Sequence, residues 1–114
     1  MAGTEYPNKD SYQAWVTDLQ LISTGAPSGH KIIVECLEMA EMLIKKNISY
    51  GDSALSPIRI FSQADNQEQI KIRIDDKINR IKNGSGFAGD NDIDDMIGYL
   101  ILLKIAKKLA ISVD

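Results

Sequence analysis

The stretch Asp92-Ile93-Asp94-Asp95-Met96-Ile97-Gly98-Tyr99-Leu100-Ile101-Leu102-Leu103 decides the fold. Acids at its start suit a helix N-terminus, where they meet unsatisfied N–H groups. Capping accounts well for Asp90 to Asp92 and less well for Asp95, a turn further in. From Met96 to Leu103 the run is apolar nearly all round, unlike the one-sided stripe of a surface helix. It is too short to span a bilayer. It therefore reads as the central helix of a helical domain, from about Asp90 or Asn91 to Ala110.

Working outward, Ile70, Ile74, Ile78 and Ile81 recur at helical spacing and predict a helix from about Asn66 to Lys82. The alternation Ile70-Lys71-Ile72-Arg73-Ile74 also resembles a strand, but the longer stripe favours helix. Asn83-Gly84-Ser85-Gly86-Phe87-Ala88-Gly89 reads as a flexible connection to the central helix. Upstream, Ile33, Val34, Leu37, Ala40, Leu43 and Ile44 predict a helix from about His30 to Asn47. Tyr12, Trp15, Val16, Leu19 and Ile22 predict another from about Lys9 to Ile22, capped by Asp10 or Asn8. Ser23 to Gly29 breaks these two apart, and a long loop runs from Asn47 to about Asp65. The expectation is one all-α domain over residues 1–114, a four-helix bundle with helix four central.

The 114 residues are enough for one domain with a core, and 44% apolar with 25% charged is a globular balance. A net charge of −3 argues against a nucleic-acid polymer as partner, since phosphate backbones select for excess Lys and Arg. The lone Cys36 excludes an intrachain disulfide and a cysteine zinc site. Residues Met1 to Asp10 hold no apolar run, so neither a signal peptide nor a membrane anchor is expected, and the cytoplasm is the expected location.

Two acidic pairs stand at i, i+3 spacing, Glu35 with Glu38 and Asp92 with Asp95. Such a pair lies on one helix face, about 60° apart. If the two helices pack side by side, four carboxylates gather into a pocket suited to Mg²⁺, a hard cation that takes oxygen ligands and substrate phosphates. The plainer reading of Glu35 and Glu38 is a solvated face that also carries a Glu41–Lys45 pair. In helix three, Arg73, Asp76, Lys77 and Arg80 form a charged stripe about 100° from the isoleucine stripe. Charges on that border can line a cleft and meet phosphate oxygens; the alternative is an intrahelical Asp76–Arg80 pair. Tyr50-Gly51-Asp52-Ser53 reads as an anion-holding turn or as simple punctuation. Cys36 and Trp15 read as core residues, and His30 as the start of a helix rather than a catalytic group.

The run Lys45-Lys46-Asn47-Ile48-Ser49-Tyr50-Gly51-Asp52-Ser53, then Arg73-Ile74-Asp75-Asp76-Lys77-Ile78-Asn79-Arg80, then Asp92 through Leu103, resembles a phage-rich family, nucleotide modification associated domain 1. That family is similar to the MazG-like all-α nucleoside triphosphate pyrophosphohydrolases, and the resemblance covers about Ile32 to Ala106. Glu35, Glu38 and Asp95 match the Glu-x-x-Glu and Glu-x-x-Asp pattern; Asp92 replaces its second-half Glu, and the interval between the halves is longer.

The resemblance implies Mg²⁺-dependent hydrolysis of a nucleoside triphosphate to monophosphate and pyrophosphate. Metal ligands would be Glu35, Glu38, Asp92 and Asp95, with Glu35, Glu38 and Asp95 catalytic. Lys45, Tyr50, Arg73, Asp76, Lys77, Arg80 and Tyr99 would contact the nucleotide. It also implies a homodimer or homotetramer, and the host cytoplasm if the chain is phage-encoded. Two alternatives remain beside hydrolysis: a non-catalytic protein sequestering a nucleotide or nucleotide-like signal, and a helical interaction module. The all-round apolar Met96 to Leu103 independently suggests self-association, through Tyr12 and Trp15 or through helix four.

Overall fold

A computed structural model of the chain describes residues 12–57, 61, 63–84 and 91–113. It contains four helices: α1 Tyr12–Ser23, α2 Gly29–Tyr50, α3 Asn66–Asn83 and α4 Asp92–Val113, with no strand among the described residues. The expected caps Asn8 and Asp10, and the connection from Ser85 to Asp90, lie outside the described residues.

Local chemistry accounts for the helix ends. Asp65 takes an extended conformation before α3, and its carboxylate accepts from the Gln67 N–H at 2.9 Å. Asn91 serves α4 in the same way: its side-chain oxygen accepts from the Asp94 N–H at 3.1 Å. Gly51 ends α2 at φ 62° and donates its N–H to the Asn47 carbonyl. The helix thus continues through Ile48, Ser49 and Tyr50, three residues beyond the expected stop at Asn47. Turn-like composition after Asn47 is outweighed there, because Gly51 is the first residue that adopts the left-handed region without steric cost.

The helices lie in the spatial order α1, α2, α4, α3. Helix α4 packs on α3 and α2 and is the central helix, as its apolar middle suggests. Ion pairs give the directions. Lys77 meets Asp95 while Arg80, later in α3, meets Asp92, earlier in α4, so the two helices run antiparallel. Helix α2 is also antiparallel to α4, because Lys46 meets Asp95 while Leu43 meets Gly98. Gly98 is buried, and a Cβ added there would lie 2.8 Å from Leu43 Cδ2. A missing side chain is what lets α4 approach α2 so closely.

The core is small. Ile70 is 1% exposed, and Met39 and Ala106 are also buried. Ile70 is the only member of its predicted stripe to be buried; Ile74 is intermediate and Ile78 and Ile81 remain exposed. Two core expectations fail. Trp15 is exposed with the rest of the α1 stripe, because among the described residues α1 packs only on α2 and buries no side chain of its own. Cys36 is exposed too: it shares the helical side of Met39 and Leu43, but the cover over that row does not reach its level among the described residues. No helix among the described residues is long and apolar enough to cross a membrane.

Candidate functional site: an ion-paired cleft over helix four

Asp95 stands where three helices meet. With α2 and α3 both antiparallel to α4, one residue near the α4 N-terminus faces both neighbours at the same level. Lys46 Nζ donates to Asp95 Oδ1 at 2.9 Å from the α2 side. Lys77 Nζ reaches Asp95 Oδ2 at 3.0 Å from the α3 side. One turn earlier, Asp92 Oδ1 lies 3.5 Å from Lys77 Nζ and 3.6 Å from Arg80 Nη1. These are ion-pair distances without a hydrogen bond, and Asp92 Oδ1 is buried with no hydrogen-bond partner among the described residues.

Electrostatics follow from this wiring. Burial pushes the Asp95 carboxyl up, but the hydrogen bonds from Lys46 and Lys77 outweigh it and hold the group below the usual carboxylate range. The hydrogen bond to Asp95 raises the Lys46 ammonium above its ordinary value. Lys77 pays a desolvation penalty that lowers it, yet its hydrogen bond to Asp95 leaves it raised on balance. The network is locked in its charged form at neutral pH.

Two cavities open on either side of this network. The larger, about 690 Å³, lies between α2 and α3 above α4, on an apolar floor that includes Met42, Leu43, Ile70 and Leu102. Its polar rim carries Lys46, Asn47, Tyr50, Asp52, Arg73 and Asp95. The smaller, about 370 Å³, is lined by Arg73, Asp76, Lys77, Asn79, Arg80 and Tyr99. Arg73 and Tyr99 line both, so the cavities adjoin through these two side chains. The larger joins an apolar floor to a polar and charged rim in nearly equal measure; the smaller is predominantly basic.

The rim beside Tyr50 is shaped by a turn. Gly51 and Asp52 both take positive φ, 62° and 61°. Asp is among the few residues that tolerate this region, because its side chain can bond locally. Here Asn47 Nδ2 donates to Asp52 Oδ1 at 2.8 Å, and the Asp52 N–H donates to the Asn47 carbonyl. The Tyr50-Gly51-Asp52-Ser53 segment is therefore both the stop of α2 and a wall of the larger cavity.

Of the residues singled out from the sequence, Asp92, Asp95, Lys77, Arg80, Arg73, Asp76, Tyr50 and Tyr99 come together around these cavities. Glu35 and Glu38 do not join them. They are exposed on α2, and Glu35 lies eleven residues, roughly 16 Å along the axis, before the Lys46 that holds Asp95. Among the described residues no group of three or more His, Cys, Asp or Glu side chains gathers as a metal cluster. Lys45 pairs with Glu41 at 3.3 Å on the outer face of α2. Its neighbour Lys46 takes the place at the cleft. The signal for Lys46 was its register: it follows Met39 and Leu43 along the apolar row that meets α4, where an ammonium needs a counterion.

Set beside known proteins, the chain matches no family model, no curated protein and no solved structure.

Proposed function

We propose that the cleft binds a small phosphorylated ligand of nucleotide type. The observation that carries this reading is the junction at Arg73 and Tyr99, where a cavity of about 690 Å³ with an apolar floor and a polar rim adjoins a smaller basic one. A flat organic moiety fits the first against Met42, Ile70 and Leu102, with Tyr50 and Tyr99 at its edges. The phosphate tail fits the second, where Arg73, Lys77 and Arg80 offer charged donors of the kind that grip phosphate oxygens. In the free protein the carboxylates of Asp92 and Asp95 stand in for those phosphates as partners of Lys46, Lys77 and Arg80. Binding then exchanges one set of anions for another, at modest net electrostatic cost.

Hydrolysis is the second reading, and one observation favours it. Asp92 Oδ1 is a buried carboxylate oxygen with unused lone pairs, the kind of atom a hard cation takes. The other donors fit Mg²⁺ less well as they stand, because both oxygens of Asp95 are engaged by lysines and Glu35 and Glu38 lie away along α2. A bound Mg²⁺ would supply water activation and charge neutralisation at the phosphates. For either reading, the chain's own contribution is to position the phosphates with Arg73, Lys77 and Arg80.

The test is incubation with a panel of nucleoside mono-, di- and triphosphates, with Mg²⁺ or with chelator, scored for retention and for turnover. Stoichiometric retention that persists in chelator is expected. Mg²⁺-dependent release of pyrophosphate would favour the second reading. Neither outcome, with the protein folded, would overturn both.

A further inference from the structure

The larger cavity offers an occupant more hydrogen-bond acceptors than donors. Asn47 Nδ2 donates to Asp52 Oδ1 at 2.8 Å, and Gln69 Nε2 donates to the Ala64 carbonyl at 2.7 Å. Carboxylate and carbonyl oxygens only accept, so each amide nitrogen faces its partner and each amide oxygen is turned away from it. Neither amide oxygen takes a donor from another described residue. Each amide thus keeps two lone pairs against one remaining N–H. Asp52 Oδ2 has only the Ser56 hydroxyl, at a long 3.5 Å. Asn47, Asp52 and Gln69 all line this cavity. Its cationic donors are committed elsewhere, Lys46 to Asp95 and Arg73 at the mouth of the basic cavity. The hydroxyls of Tyr50, Ser53 and Tyr99 can serve either way.

Asp52 is also held in place before any ligand arrives. Its N–H donates to the Asn47 carbonyl at 3.2 Å, and its own carbonyl accepts from the Leu55 and Ser56 N–H groups. Asn66 Nδ2 donates to the Leu55 carbonyl at 3.3 Å, which ties this turn to the start of α3, where Gln69 stands. A carboxylate fixed on a cavity rim matches a planar edge with two adjacent N–H donors, as it matches the guanidinium fork. Of the common bases guanine alone has such an edge, its ring N1–H beside its 2-amino group. Adenine and cytosine bring one amino group next to a ring acceptor. Uracil sets its single N–H between two carbonyl oxygens, which would meet acceptors. Resting on the nucleotide reading above, we propose that the larger cavity selects guanine-type nucleotides. Asp52 is the specificity-determining residue, and the side-chain oxygens of Asn47 and Gln69 are further acceptors for the base.

The experiment titrates the full chain by calorimetry, in chelator, with guanosine, inosine, adenosine and uridine triphosphates and with inorganic tripolyphosphate. Inosine keeps the ring N1–H and lacks only the 2-amino group. Guanosine should bind tightest, inosine about tenfold more weakly, as loss of one charged hydrogen bond predicts, and uridine most weakly. Asp52→Asn suits the left-handed backbone at this position, since Asn tolerates that region as Asp does. It should bring guanosine and inosine to similar affinity and leave tripolyphosphate affinity unchanged, a pattern that loss of structure would not produce. If this variant does not fold, the ranking on the unmutated chain decides. Equal affinity for all four nucleotides, or a preference for adenosine or uridine, overturns the base assignment and leaves the nucleotide reading in place. A guanosine preference over inosine that survives Asp52→Asn overturns it as well. Tripolyphosphate binding as tightly as every nucleotide also overturns it, since no base is then read. Binding of none of these probes by the folded chain overturns the base assignment and the nucleotide reading together.

Discussion

Glu35 with Glu38 and Asp92 with Asp95 share one spacing and end in opposite circumstances. The first pair is exposed on the middle of α2. The second lies half-buried between α2 and α3, its members ion-paired to Lys46, Lys77 and Arg80. Spacing sets the phase of two side chains on their own helix and nothing more. What they do depends on what the neighbouring helix offers at the same level, and that is set by helix direction and by close approach at Gly98. An exposed carboxylate is solvated by water; one at a three-helix junction must be solvated by the protein.

That difference has measurable consequences. Replacing Asp95 with Ala removes the ion-pair partner of the partly covered Lys46 and leaves the well-covered Lys77 only its longer 3.5 Å contact with Asp92. Breaking a fully buried pair costs about 3–5 kcal/mol, and partial solvent access brings the expected loss to about 2 kcal/mol. The thermal midpoint should fall by on the order of 10 °C in circular dichroism melts. Glu35→Ala and Glu38→Ala should each stay within about 0.5 kcal/mol of the parent, as surface substitutions do. Equal losses from both pairs would break the comparison.

Ligand binding should sharpen it. Arg73→Ala removes a guanidinium from the junction of the two cavities, and a charged hydrogen bond is worth about 1.5–3 kcal/mol. Nucleotide retention by equilibrium dialysis should drop at least tenfold or so, whereas Lys45→Ala, on the outer face, should leave it unchanged. An effect of similar size from Lys45 would move the ligand to the wrong side of α2.

The pH dependence of stability separates the pairs by sign. Asp95 is held below its unfolded value, so its contribution is complete above roughly pH 4 and is lost as pH falls through the lower folded value. Lys46 and Lys77 are raised, so their contribution is complete below roughly pH 10 and is lost as pH rises through their folded values. The melting difference between the parent and Asp95→Asn should be flat across neutral pH and shrink below about pH 4. A difference that instead grew with acidification would contradict the ion-paired assignment. The smallest effect belongs to Glu41–Lys45. Glu41→Gln should cost no more than about 0.5 kcal/mol, a cost that added salt removes; that measurement is made at concentrations where the chain's association state is unchanged.

Much of the architecture was legible in the residues. Isoleucine and leucine spacing predicts each helix, and the apolar middle of α4 predicts its central position, because a helix without a polar face needs neighbours on more than one side. The stripe Arg73, Asp76, Lys77 and Arg80 pointed to a cleft because charges on the border of an apolar face end up between elements. Lys46 was harder to separate from Lys45: adjacent lysines differ by about 100° on the helix, and only the position of α4 decides which of them gains a counterion. Trp15 and Cys36 misled because apolar type predicts a wish for burial, not the presence of a covering element.

By itself, then, the sequence determined the all-helical class, the helix phases, the end of α3 near Gly84 and the candidate charges, since all of these depend on neighbours within a few residues. Only the tertiary structure decided which carboxylates meet which cations. Antiparallel packing of α2 and α3 on α4 carries Lys46 and Lys77 to Asp95 and leaves Glu35 some 16 Å away along α2. Such pairing joins residues dozens of positions apart, and its register is set by packing contacts such as Leu43 on Gly98 that no local spacing encodes.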